Sequence, residues 1–162
     1  MVEESTLLER CRQGDDLAWE ALVRRYQSRV YGLAFHYMRS RQEARDVAQE
    51  VFVRLYQSIG SLDLEQEGSF VPWLLRTARN VCIDQLRRQK ARPPAHDLPV
   101  EEGPPIPAAG PSPEEWSIAA ARRRMVYRAL SHLSEVSREI ILLKEIQGLE
   151  LREISEMLAI PV

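Results

Sequence analysis

Eight of the ten prolines in this chain fall between Pro93 and Pro113, in PPAHDLPVEEGPPIPAAGPSP. No other feature narrows the possible folds as far. Proline has no amide hydrogen to donate and biases the residue before it away from the helical region, so this stretch is poorly suited to helix or central strand. It reads as an extended, polyproline-like linker over residues 91–113, joining a first half at 1–90 to a second at 114–162. From Pro93 to Ala121 the chain has five acidic residues, Asp97, Glu101, Glu102, Glu114 and Glu115, and no lysine or arginine. A solubilising spacer is the plain explanation of such a composition.

Ahead of the linker the apolar residues keep helical spacing, with helices predicted at Ser5–Gln13, Asp16–Met38, Arg41–Ile59 and Phe70–Gln89. Gly14 and Asp15 break the first pair, Ser40 with Glu43 has the form of a capping box, and Gly60–Gly68 is a polar loop. Leu17, Ala21, Leu22, Tyr26, Val30, Leu33 and Ala34 recur at three- and four-residue steps as one apolar stripe. Ala44, Val47, Ala48, Val51, Phe52 and Leu55 form a core face on the next helix. Four such helices bury one another as a bundle, so the fold class is all-α.

The last of the four has two unlike faces. Stepping about 100° per residue, Leu74, Leu75, Ala78, Val81, Cys82 and Leu86 share one arc, and Trp73, Arg76, Thr77, Asn80, Asp84, Arg87 and Arg88 share the other. From Phe70 to Arg92 six basic residues stand against Asp84, a local charge of +5 in a chain of net charge −2. Such concentration suits a phosphate footprint. The same face offers an amide and a carboxylate for base edges and an indole that can stack on an unpaired base. On this segment alone a solvated amphipathic helix, with Trp73 packed on a neighbour, explains the pattern equally well. On the preceding helix Asp46, Gln49, Glu50, Val53 and Tyr56 lie around the outer side, with Val53 nearly opposite the core stripe. An outward valine ringed by polar groups fits a protein-docking patch.

Beyond the linker, helices are predicted at Trp116–Leu130, Glu135–Ile146 and Leu151–Leu158, the last with Ile154 and Leu158 inward. Gly148 breaks the second pair and AIPV forms a turn. This is the front part of a helix-turn-helix, whose next helix normally enters the major groove. The sequence ends at Val162, so the expectation is a motif truncated before its recognition helix.

Enzymatic motifs are missing. There is no phosphate loop, no nucleophile motif and no cysteine and histidine cluster, and His36, His96 and His132 stand far apart. No catalytic residue, metal or cofactor is therefore expected. Cys11 and Cys82 read as small buried hydrophobes. The N-terminus is acidic and no apolar run approaches the roughly 20 residues that cross a bilayer, which predicts a cytoplasmic protein without membrane insertion.

Three blocks in order carry a family resemblance: DVAQEVFVRLY at Asp46–Tyr56, FVPWLLRTARNVCIDQLRR at Phe70–Arg88, and LSEVSREIILLKEIQGLELREISEMLAIPV at Leu133–Val162. The chain resembles the extracytoplasmic-function (ECF) sigma factors of the sigma-70 family. The resemblance implies a region 2-like bundle at 1–90, a linker, and a region 4-like domain at 114–162. It makes Asp46, Gln49, Glu50, Val53 and Arg54 candidate contacts to core RNA polymerase. Trp73, Arg76, Thr77, Asn80, Arg87 and Arg88 become candidate contacts to promoter DNA, and the loop Ser61–Ser69 a place for a flipped base. The linker is expected to thread towards the catalytic cleft, and an anti-sigma factor is an expected partner. In the family, positions 150, 155 and 159 are often Ser or Thr, Ala, and Gly; here they are Glu150, Ser155 and Ala159. The family continues past a sequence like AIPV into a basic helix, so the 162-residue chain is expected to bind the upstream element poorly. The competing reading is a helix-turn-helix regulator or helical interaction protein that acts without the polymerase core.

Overall fold

A computed structural model describes residues 3–63, 69–91, 121–122, 125–126 and 128–161. The chain divides into two units, Met1–Leu98 and Pro99–Val162. Residues 64–68 of the loop, the linker beyond Ala91, and residues 114–120 at the start of the predicted Trp116–Leu130 helix lie outside the described residues.

The first unit is built from α1 (Glu4–Arg12), α2 (Asp16–Met38), α3 (Arg41–Ser58) and α4 (Phe70–Lys90). α2 is central and packs against the other three, while α3 also packs on α4. The turn from α1 to α2 is fixed by local chemistry. Gly14 takes φ 79°, its amide donates to the Cys11 carbonyl at 3.0 Å and the Asp15 amide to that of Arg10 at 3.1 Å. This closes the end of α1 with a left-handed residue that glycine adopts at little cost. Asp15 then caps α2 by accepting from the amides of Leu17 and Ala18 at 3.0 and 3.1 Å. Arg10 hydrogen-bonds the same carboxylate, and with the Ala18 amide this holds Asp15 below the usual carboxylate range.

Fixing α2 in that way sets its phase. Leu17 is 72% exposed and Ala21 is also exposed, so the stripe begins instead at Ala18 and Leu22 and continues through Tyr26, Val30, Leu33, Ala34, Phe35 and Met38. On α3, Ala44, Val47, Val51 and Leu55 are buried, while Ala48 and Phe52 are only half-buried at the border of the face. Each fully buried leucine or phenylalanine contributes ~1.5–3 kcal/mol by leaving water. Polar ties join the helices at the rim. The Tyr26 hydroxyl donates to Glu4, Arg12 donates to the Ile59 carbonyl at 3.1 Å, and the Gln89 amide donates to Glu43. Ser40 caps α3 through the Glu43 amide. With its side chain accepting from Gln89, Glu43 ties α3 to α4 rather than completing a capping box by itself.

In the second unit the described residues from 121 to 131 are helical, followed by α5 (Glu135–Ile141), a π-helical turn at Leu142–Ile146 and α6 (Leu151–Leu158). The predicted helix Glu135–Ile146 is thus one rod that widens in its last turn, where the Gln147 amide reaches back five residues to Leu142 at 3.0 Å. Gly148, at φ 71°, ends it. Arg138 closes the preceding helix by donating to the carbonyls of Leu130, Ser131 and Leu133. On α6 the inward pair is Ile154 and Met157; Leu158, predicted to face inward, is half-buried. Ala159 caps α6 at φ 54°, a left-handed conformation that costs a side-chain-bearing residue roughly 1–2 kcal/mol. The turn is held from both ends, because the Ile160 amide donates to the Ser155 carbonyl at 3.2 Å and the Ser155 hydroxyl donates to the Ile160 carbonyl at 2.5 Å. Ser155 therefore supplies a bond that alanine at this position could not make.

Candidate nucleic-acid and polymerase interfaces

α4 begins after Ser69, whose backbone is extended, and carries Pro72 in its first turn, where a missing amide hydrogen leaves no helical bond unmade. Arg87, Arg88 and Lys90 occupy its last turn, where cations meet the negative end of the helix. Phe70, Pro72, Leu74, Leu75, Ala78, Val81 and Cys82 are buried, and Leu86, expected among them, is half-buried. Burial pushes the Cys82 thiol up to about 12, which makes it an inert core group at neutral pH.

The outer face follows the predicted arc. Asn80, Arg87, Arg88 and Lys90 are exposed, and Trp73, Arg76, Thr77 and Asp84 are half-exposed. Trp73 is not loose on this surface. Its ring stacks on Phe70 at 6.3 Å and 21°, and Phe70 meets Tyr26 of α2 edge-on at 5.1 Å. Three rings thus run from the core to the surface and hold the indole in place. Trp73 thus packs on a neighbour, as the plain amphipathic-helix reading has it, and stays half-exposed. Thr77 donates its hydroxyl to the Trp73 carbonyl at 3.0 Å, leaving only acceptor lone pairs. The basic residues are less alike than their count suggests. Arg79 is half-buried, and desolvation holds its guanidinium below the usual arginine value.

On α3, Asp46 and Gln49 are exposed, and Val53 and Tyr56 are 49% and 66% exposed. Gln42 donates to Asp46 at 3.2 Å. Glu50 and Arg54 pair along the helix, Nη2 to Oε1 at 2.5 Å and Nε to Oε1 at 3.1 Å. Two of the five predicted polymerase contacts thus neutralise each other, and the patch is mildly acidic with an apolar centre. The structure adds a residue that periodicity missed. Trp19 of α2 lies against Tyr56 at 5.0 Å and donates its indole hydrogen to the Cys11 carbonyl at 3.2 Å. Its only trace in the sequence is that a large aromatic falls off the α2 stripe.

Among the described residues no group of histidine, cysteine and carboxylate side chains is placed to hold a metal ion, and no helix is long and apolar enough to cross a membrane.

Comparison with known proteins places the chain in a family. The Sigma-70 region 2 model matches residues 22–92 and the Sigma-70 region 4 model residues 123–162. The ECF RNA polymerase sigma-E factor of Haemophilus influenzae is 34% identical over 98% of this chain and 85% of its own length. The structure of CnrH in complex with the cytosolic domain of CnrY shares the fold at a TM-score of 0.61, with 22% identity over 96% of this chain and 82% of that one. An NMR structure of an engineered region 2 of sigmaE in complex with GTAAAA covers 55% of this chain and 90% of its own, at 35% identity and a TM-score of 0.50. Both family models and a relative matched along nearly the whole chain lead to one conclusion: this chain belongs to the ECF sigma factors of the sigma-70 family.

Proposed function

We propose that the chain directs core RNA polymerase to promoters by using two outward faces of one bundle. The outer side of α3 docks on polymerase through Asp46, Gln49, Glu50, Val53 and Arg54. The outer side of α4 captures the opened minus-ten strand, with Trp73 stacking on a base, Asn80 and Thr77 reading base edges, and Arg76, Arg87 and Arg88 holding phosphates. The observation that carries this reading is the anchored Trp73 beside exposed Asn80, Arg87 and Arg88 on one side of α4. An indole already held in place loses little freedom when a base stacks on it, so more of the stacking energy is left to offset the pairing lost on melting. That a region 2 of sigmaE at 35% identity is solved with GTAAAA supports strand capture by the bundle as a whole.

Residues 61–69 would hold a flipped base, and 91–113 would thread from the bundle (1–90) through the polymerase to the second domain (114–162). The acidic linker suits a channel built to hold nucleic acid. An anti-sigma factor that covers the α3 face would be a fitting inhibitor, because it would compete directly with polymerase docking. The site of action would then be the cytoplasm. Co-purification with core polymerase and retention of single-stranded GTAAAA by the complex test the proposal. Replacing Asp46 and Gln49 should abolish the first with the fold intact. Trp73→Ala and Arg87→Ala should leave polymerase binding alone and weaken strand capture by roughly tenfold each. Unchanged promoter opening in both α4 variants would overturn the assignment. Binding to duplex DNA with no affinity for polymerase would favour a stand-alone regulator.

A further inference from the structure

One carboxylate lies on the midline of the basic face. Trp73, Thr77, Asn80 and Asp84 follow one another at steps of four, three and four residues and so share about 60° of the helix surface. Arg76 and Arg87 border this line on one side and Arg88 on the other. Asp84 is half-exposed, and among the described residues it makes no hydrogen bond or ion pair. Yet Arg87 and Arg88 stand three and four residues further on, at the spacing where helical ion pairs form. Its role is therefore not that of a helix-stabilising partner.

A free carboxylate repels a phosphate passing over it. Phosphates are left to the arginines at the borders, and the midline is left to bases. The chemistry of that line is biased. Thr77 has given its hydroxyl hydrogen to the Trp73 carbonyl, and an ionised carboxylate can only accept, so two of its three polar groups seek donors. The donors that an unpaired strand offers at base edges are the exocyclic amino groups of adenine, cytosine and guanine, which thymine lacks, and the ring imino hydrogens of guanine and thymine.

Resting on the reading of α4 as the strand-capturing face, we propose that Asp84 is a specificity-determining residue that accepts a hydrogen bond from the exocyclic amino group of an unpaired promoter base. Its charge also keeps the sugar-phosphate backbone on the arginine borders.

The test uses the full chain with core RNA polymerase and single-stranded GTAAAA, in which each amino-bearing base is replaced in turn by its deamino counterpart, hypoxanthine for guanine and purine for adenine. One replacement should weaken capture by the wild-type protein about tenfold and have no effect on Asp84→Ala. Asp84→Ala should bind oligothymidine at least as tightly as wild type, since a repulsive charge is gone. Asp84→Asn, which keeps an acceptor oxygen, should retain part of the base preference. Deamino replacements that weaken wild type and Asp84→Ala alike would overturn the inference. If Arg87→Ala still weakens every strand in that case, the reading of α4 survives without it. Failure of wild type to capture GTAAAA at all would bring down both. Unchanged helicity of Asp84→Ala by circular dichroism separates these outcomes from unfolding.

Discussion

The two units bury different things. In the bundle, Leu22, Val30, Leu33, Ala34, Val51, Leu55, Leu75 and Ala78 are fully enclosed, and among its described residues no charged side chain joins them. In the second unit the buried set includes Glu139 and Gln147, while Met125, Val126, Leu133, Val136, Ile146 and Leu151 show large apolar surface. An exposed apolar set of that kind resembles a surface meant to be covered more than a finished exterior. The bundle reads as a scaffold that is stable by itself and carries functional groups on its outside. The second unit has a thinner core, and polar groups help to define it.

If that contrast is right, the largest effect comes from the bundle. Leu33→Ala should cost about 3–4 kcal/mol, the transfer of a leucine plus the cavity it leaves, because a four-helix core closes poorly around the gap. Denaturant unfolding followed by bundle-specific probes would show it, and a loss under about 1 kcal/mol would mean the core is not the rigid element described.

The next effect belongs to the second unit and is read with pH. Burial pushes Glu139 up to about 7. The folded state thus holds a proton that the unfolded chain releases near the ordinary value of 4.5. Stability is full below pH 4.5, falls as pH rises towards 7, and is flat above. The total fall is on the order of 3 kcal/mol. Glu139→Gln should flatten this dependence, seen as a thermal midpoint of the second unit that no longer drops between pH 5 and 7.

The smallest effect is a gain. Ala159→Gly relieves a left-handed φ of 54° and should stabilise the second unit by about 1 kcal/mol, measured by the same melt. A loss would show that the methyl group of Ala159 packs better than its backbone suffers.

What could be read from the residues depended on how distinct the two sides of each helix are. α4 was legible because six apolar positions fall on one arc and six polar ones with Trp73 on the opposite arc, so no shift of phase confuses them. α2 was not, at its start: Leu17 with Ala21 and Ala18 with Leu22 are equally good four-residue steps, and only the Asp15 cap decides between them. The same ambiguity, between Met157 and Leu158, affects α6. The outward residues of α3 and α4 could be named from their arcs, while their candidate roles came from the family resemblance; the pairing of Glu50 with Arg54, the half-burial of Arg79 and the arrival of Trp19 beside Tyr56 depend on side-chain packing that periodicity does not encode.

Trp19 and Trp73 each sit on one of the two outward faces, one against Tyr56 and the other against Phe70. The bundle is thereby labelled with an intrinsic fluorophore at each of the two faces proposed to bind polymerase and DNA. With Trp116 and one of these two indoles replaced by phenylalanine, the single tryptophan that remains would report on polymerase docking or on strand stacking separately. The order of those two events could then be followed in real time without attaching a dye.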